Sequence, residues 1–230
     1  MSLFRQVLKR ALTVALPERW WRVRGPHACG QVALTFDDGP DPQRTPQILD
    51  ILHQFGIQAT FFVVGRKAAQ YPDIIRRIAE EGHDLGNHSY FHGEPSQTPA
   101  NQLLTEVSAC RSLLKRLTKR DVQFFRPPKG ELSLKKILGL WQRRQAVVLW
   151  NVDPRDYTFS HTEQFEKWSQ QYAPTAGDII LLHDNRKVTM EGLPFLLERI
   201  QQAGLGFCPI SAWCGPRGTV QKLATAGGAP

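Results

Sequence analysis

No stretch of the 230-residue chain approaches the ~20 consecutive apolar residues that a membrane-spanning helix needs, so a polytopic membrane protein is excluded. Cysteine is scarce: Cys29, Cys110, Cys208 and Cys214 are the only four, and none stand in a CxxC spacing. That excludes a thiolate zinc knuckle and a disulfide-dense scaffold. Reduced, buried thiols are expected, and a Cys208–Cys214 pair would require the chain to turn back between them. Internal repeats, long linkers and low-complexity stretches are absent, apart from the small-residue tail Ala224–Pro230. With 41% hydrophobic residues, six Trp and twelve Phe, the chain can offset its ordering entropy, which excludes dominant disorder. A single globular domain follows, long enough to bury about 70% of its unfolded surface.

Acidic residues are few at two places, and the net charge of +8 concentrates there. Residues 1–24 hold six basic side chains against Glu18 alone, and residues 111–144 hold eleven against Asp121 and Glu131. Such surfaces suit an anionic partner or a solvated face. Nucleic acid is excluded as the partner of 111–144, because the stretch lacks interleaved aromatics and any known module. In the first segment, Arg5, Lys9 and Arg10 precede the short apolar run Ala11–Leu16, but Pro17–Trp21 offers no small-x-small cleavage site. At helical spacing Phe4, Val7, Leu8, Ala11, Leu12 and Ala15 share one face, followed by Trp20, Trp21, Arg22 and Arg24. Residues 1–24 therefore read as a basic amphipathic segment, packed on its own domain or in peripheral contact with an anionic membrane. The expected location is cytoplasmic or peripheral to the membrane.

From there the chain alternates. Gln31–Phe36, Ile57–Val64, His83–His88, Val122–Phe125, Gln145–Val152, Asp178–Leu182 and Gly206–Ile210 read as strands. Pro46–Gln54, Asp73–Glu81, Ala100–Leu117, Leu132–Trp141, Thr162–Tyr172 and Glu191–Gln202 read as helices. Strict alternation predicts an α/β fold with a parallel sheet, either a barrel or an open doubly wound sheet. The titratable residues favour the barrel. Asp37 and Asp38, His88 and His92, Arg126, Asp153 and Asp156, and His183 each fall just past the C-terminal end of a strand. In a barrel those ends share one face, where active sites are built.

The chemistry available there is metal-assisted. His88 and His92 stand four apart, a spacing that one helical turn brings to the same side. With one carboxylate from Asp37-Asp38 they make a three-ligand site with a position left open. Adjacent side chains on an extended segment point opposite ways, so one aspartate binds the metal while the other takes a proton from water. Arg126 can pair with the free carboxylate. His183 can donate a proton to a leaving amine, its charge set by an acid such as Asp156. His53, His83 and His161 read as structural.

Five segments in order carry a family resemblance: Thr35-Phe36-Asp37-Asp38-Gly39-Pro40; Gly86-Asn87-His88-Ser89-Tyr90-Phe91-His92; Phe125-Arg126-Pro127-Pro128; Asp153-Pro154-Arg155-Asp156-Tyr157; and Leu181-Leu182-His183-Asp184. Together they resemble the polysaccharide deacetylase family, also called the NodB-homology or carbohydrate esterase family 4 domain. The resemblance implies a distorted (β/α) barrel of about seven parallel strands, here residues 25–218, followed by a tail over 219–230. It implies a divalent metal, usually Zn2+, held by Asp38, His88 and His92. Asp37 becomes the catalytic base oriented by Arg126, and His183 the catalytic acid tuned by Asp156. Pro127, Lys129, Tyr157 and Leu181 become pocket residues.

The implied reaction is hydrolysis of an N-acetyl group on an amino-sugar glycan. Alternatives are a lipid-linked amino sugar, deacetylated or deformylated, and a non-catalytic carbohydrate-binding relative. Two positions depart from the family pattern: Lys129 stands where an aromatic residue is usual, and Tyr157 where Trp is usual. A lysine in the pocket would suit an anionic group on the glycan.

Overall fold

The computed structural model describes Thr13 and residues 16–213. Its strands are β1 (Trp21–Arg22), β2 (Gln31–Asp37), β3 (Thr60–Val63), β4 (Asp84–Asn87), β5 (Phe124–Phe125), β6 (Ala146–Val148), β7 (Ile179–His183) and β8 (Gly206–Phe207). The helices are α1 (Arg44–Gln54), α2 (Gly65–Gln70), α3 (Pro72–Glu80), α4 (Ala100–Thr118), α5 (Leu134–Gln142), α6 (Thr162–Gln171) and α7 (Lys187–Gln202). All strand pairs are parallel, in the order β1-β6-β5-β4-β3-β2-β7, with β8 beside β2. Past β6 the chain bridges at Val152 to Ile180 of β7, where Leu181 N–H donates to the Val152 carbonyl at 2.9 Å. The sheet therefore curls into a distorted barrel of parallel strands with helices around it.

β2, β3 and β7 are buried along nearly their whole length, which is why they read as unbroken apolar runs rather than alternating ones. Alternation survives inside β3. Phe61 faces the helices and stacks on Phe36 at 4.9 Å, whereas Phe62 lies beneath the Arg126 guanidinium at 4.1 Å. The close approach of Phe62 also explains Gly86 in β4, since a Cβ there would lie 2.3 Å from the Phe62 ring. The main core joins these strands to α1, α3 and α7 through Ile48, Leu52, Ile75, Ile78, Leu196 and Ile200, all fully buried. Truncating one such side chain to alanine costs roughly 2–5 kcal/mol.

Three features differ from the sequence reading. The strands around β5 and β6 are shorter than the apolar runs that contain them, because pairing stops where the chain bends toward the site. Helix α2 is additional; it is a six-residue turn opening at Gly65, too short for periodicity to register. The third difference bears on the basic amphipathic segment. Trp21 and Arg22 form β1 in register with Val147 and Val148, and both are buried. They belong to the sheet and are not available to a lipid surface. Residues 1–12, which carry most of that expectation, and the tail 219–230 lie outside the described residues. Among the described residues no helix is long and apolar enough to cross a membrane. Cys29, Cys110 and Cys208 are free thiols, and Cys214 falls outside the described residues.

Candidate active site

The carboxyl ends of β2, β4, β5, β6 and β7 deliver the pieces of the site. β2 ends in Asp37, and the chain then turns through Asp38 in the left-handed region (φ 73°). That reversal separates the two carboxylates. Gly39 follows, where a Cβ would lie 2.0 Å from the Asp184 carboxylate, so no larger residue fits.

β4 delivers both histidines through an irregular loop, not the helical turn that the four-residue spacing suggested. Ser89 (φ 65°) and His92 (φ 57°) are left-handed, and side chains rather than a helix hold the loop. Asn87 Oδ1 accepts the Ser89 N–H at 3.0 Å, and Ser89 Oγ accepts the His92 N–H at 3.0 Å. Buried Glu106 of α4 accepts the Phe91 N–H at 3.2 Å. Glu106 gave no sign in the sequence, because it looks like any acidic position on a long helix.

The loop brings His88 Nε2 to 3.5 Å and His92 Nε2 to 3.2 Å from Asp38 Oδ1. One ligand atom from each of Asp38, His88 and His92 lies within 4.8 Å of the others. His88 Nδ1 is 2.7 Å from the Arg126 carbonyl, an acceptor only, so Nδ1–H donates to it and Nε2 carries the free lone pair. Burial, then the neighbouring His88, press the His92 pKa below its ordinary value, and a neutral imidazole is the ligating form. Burial alone would raise the Asp38 pKa. The His88 hydrogen bond and the His88, His92 and His183 rings around it outweigh that and hold the carboxyl well below the usual range. Two imidazole nitrogens and one carboxylate oxygen fit a divalent ion of the zinc type with a position left open.

Asp37 stands beside the cluster, its Oδ2 3.7 Å from His88 Nε2. Its other oxygen accepts Arg126 Nη1 at 2.8 Å. Arg126 is fully buried and also donates to Thr35 Oγ1 (2.7 Å) and to the carbonyls of Val148 (3.2 Å) and Leu149 (3.1 Å). Thr35 in turn donates to the Ile180 carbonyl at 2.6 Å.

On the neighbouring strand, His183 ends β7. Its Nδ1 lies 2.6 Å from Asp156 Oδ1, and its N–H donates to Asp156 Oδ2 at 2.8 Å. Thr189 of α7 donates to the same oxygen at 2.6 Å. Burial would lower the His183 pKa. The hydrogen bond and charge of Asp156, with Asp37 and Asp38 beyond, overcome it and push the value up to about 9. Asp153, the other aspartate after β6, is exposed and only caps the turn through the Arg155 N–H.

The pocket residues separate. Tyr157 lies edge-on to His183, ring centres 5.6 Å apart. Pro127 and Leu181 are buried in the wall, Leu181 in register with Thr35. Lys129 does not reach the metal cluster. Its left-handed backbone (φ 54°) turns it to the rim, where its ammonium pairs with Glu94 of the β4 loop. Both partners of this pair are exposed to solvent. Outside the site, buried His83 accepts the Ala59 N–H at 3.0 Å, and burial pushes its pKa down to about 4.

Three converging atoms that could hold a metal ion, a buried carboxylate and a protonated imidazole on adjoining strands suit a metal-dependent hydrolase. The chain belongs to the polysaccharide deacetylase family, whose model matches residues 24–142. It is similar to a peptidoglycan-N-acetylglucosamine deacetylase of Bacillus cereus, 39% identical over 133 residues, which are 58% of this chain and 48% of that protein. A chitooligosaccharide deacetylase of Bradyrhizobium is 32% identical over 194 residues, covering 78% of this chain and 88% of that protein. The chain thus spans about half the length of the first relative and most of the second. A crystal structure of a peptidoglycan N-acetylglucosamine deacetylase superposes with a TM-score of 0.79 at 29% identity, covering 84% of this chain and 92% of that one.

Proposed function

We propose that this chain removes N-acetyl groups from a neutral amino-sugar glycan, a polymer or oligomer of N-acetylglucosamine type, with Zn2+ held by Asp38, His88 and His92. One observation carries the reading: Asp37 and His183 are register partners on adjacent parallel strands, directly beside the three ligand atoms. The names of the two relatives support the choice of sugar. A divalent ion in that cluster supplies Lewis-acid polarisation of the amide carbonyl and makes water acidic enough to ionise near neutral pH.

The chain's own groups do the rest. Arg126 holds the Asp37 carboxylate in one orientation, so that it takes the proton from the attacking water as the C–O bond forms. Asp156 fixes the His183 Nδ1–H and keeps the ring protonated at neutral pH, leaving Nε2 to deliver a proton to the amine nitrogen as the C–N bond breaks. The products are acetate and a free amino sugar. Tyr157 and Leu181 shape the walls against which the acetyl group and its sugar rest.

The test is acetate release by the zinc-loaded protein from chito-oligosaccharides, peptidoglycan fragments and anionic polysaccharides, with Asp37→Asn as the control. Release from the neutral N-acetylated members by the parent and not by the control is expected. No release from any member, with metal bound, would sink the reading.

A further inference from the structure

Five large apolar side chains are exposed among the described residues: Phe91, Leu134, Leu138, Tyr157 and Phe195. Single exposed apolar residues are ordinary on a protein surface. The placing of two of them is not. Phe91, 56% exposed, lies between the two metal-ligand histidines, and Tyr157, 45% exposed, sits on His183. Round the barrel wall the strand order runs β4, β5, β6. Phe91 leaves the end of β4 and Tyr157 follows β6, so both stand in loops at the carboxyl ends of their strands, with β5 between them.

Phe91 is held out rather than left loose. Its N–H is fixed by buried Glu106, its ring leans edge-on against Tyr90 at 4.9 Å, and the Asn87–Ser89–His92 bonds fasten the loop on both sides. A rigid aromatic face turned to water contributes little to folding, but it is pre-organised for a ligand. Glu94, three residues on from Phe91, pairs with the exposed Lys129, and the pair offers both N–H donors and carboxylate acceptors. An apolar plate bordered by paired polar groups matches a pyranose ring, which has C–H faces and a rim of hydroxyls.

We propose that Phe91 is the stacking platform for the sugar ring next to the one being deacetylated, and that it sets the preference for longer chains. The inference rests on the reading of the protein as a glycan deacetylase. It places a second sugar ring on the β4 side of the metal cluster, with Tyr157 bounding the opposite side.

The experiment compares kcat/KM for acetate release from a pentamer and a dimer of β-1,4-linked N-acetylglucosamine, using the zinc-loaded protein. The ratio of the two values cancels any uniform loss caused by disturbing the histidine loop. Phe91→Ala should lower that ratio about tenfold, the worth of one well-packed aromatic contact. Phe91→Leu should lose most of it, Phe91→Trp should keep it, and Phe195→Ala, on the distant α7, should leave it unchanged. A ratio that stays at the parent value in Phe91→Ala overturns the proposal.

Binding of the pentamer to Asp37→Asn and to Asp37→Asn/Phe91→Ala, followed by calorimetry, separates this inference from the reading of the reaction. Weaker binding by the double variant upholds the platform even if the parent releases no acetate. Equal binding overturns it.

Discussion

Asp37 and His183 face each other across β2 and β7 as register partners of a parallel pair, and each is anchored from the side away from the other. Arg126 grips Asp37 at 2.8 Å, and Asp156 grips His183 at 2.6 Å. Side chains at paired positions project from the same face of a sheet. The carboxylate and the imidazole are therefore brought together by backbone pairing, and each is held by its own buried partner. This separability makes each half of the site testable alone.

The first test concerns Arg126. Its guanidinium has no contact with water and is held by Asp37, Thr35 and two carbonyls over the Phe62 ring. Arg126→Met leaves the Asp37 carboxylate buried without its counter-charge, which costs about 3–5 kcal/mol. Chemical denaturation should show that loss, together with loss of deacetylation. Asp37→Asn/Arg126→Met should recover much of the stability and none of the activity, because the variant buries no unpaired charge. Additive losses in the double variant would mean that the pair does not act as a unit.

The second concerns pH. The folded His183 pKa, about 9, lies above its ordinary 6.5. The protonated, Asp156-paired form therefore contributes stability that is fully present below about 6.5 and is lost as pH rises through about 9. A proton donor of this kind gives kcat/KM an alkaline limb near the same value. Asp156→Asn removes the partner, so the limb should move toward the ordinary imidazole range and the rate at the optimum should fall by ~10²–10⁴. An NMR titration of the His183 ring would follow the same shift. An unmoved limb in Asp156→Asn would assign the titration to another group.

The third concerns the metal. Asp38, His88 and His92 converge in the folded chain but not in an unfolded one, so an ion bound there stabilises by mass action. Zinc added to chelator-stripped protein should raise its unfolding midpoint, by the equivalent of about 2.7 kcal/mol at a hundredfold excess over the dissociation constant. His92→Ala and Asp38→Ala should abolish the rise. Their loss of affinity should exceed the ~10–100-fold that follows from removing an outer hydrogen-bond partner of a ligand. A midpoint that climbs equally in His92→Ala would place the ion elsewhere.

Much of this site was legible because its groups sit at strand ends in a fixed order. Asp37, Arg126 and His183 each close an apolar run, and the run itself announces the strand. What could not be read was how the chain turns after those ends. The HxxxH spacing suits a helix, yet Ser89 and His92 adopt left-handed backbone, a conformation that local hydrogen bonds stabilise and periodicity does not register. Glu106, Thr35 and Thr189 support the site from a helix, a strand interior and a helix start, and their residue types are common in all three places. Lys129 was visible as a departure from the family pattern. Its pairing with Glu94, 35 positions earlier in the chain, exists only in three dimensions. Trp21 and Arg22, for which packing on the chain's own domain and contact with a membrane were both open, show the converse. An aromatic and a basic residue after an amphipathic stretch suit a membrane surface, but pairing with β6 placed them in the sheet.

The last test concerns Asp184, which follows His183 and is buried against Gly39. Burial pushes its carboxyl up to about 7, against a hydrogen bond from Thr45 Oγ1 to Oδ2 at 2.6 Å and the more distant charge of Lys67, both of which lower it. Its Oδ1 takes no hydrogen bond from any described residue. A folded-state pKa raised above 3.8 means that the native protein binds this proton more tightly than the unfolded chain does. The associated stability is complete below about 3.8 and drains away as pH rises through about 7. Asp184→Asn keeps the shape beneath Gly39 and cannot ionise, so it should lack that loss. Denaturation of both proteins across this range should show the variant gaining on the parent as pH rises and levelling off above pH 7. The relative gain should be on the order of 4 kcal/mol. Parallel stability curves would show that Asp184 is ionised at no cost in the native state. In that case a counter-charge, and not burial, must govern the carboxylate pressed against the Asp38–Gly39 turn.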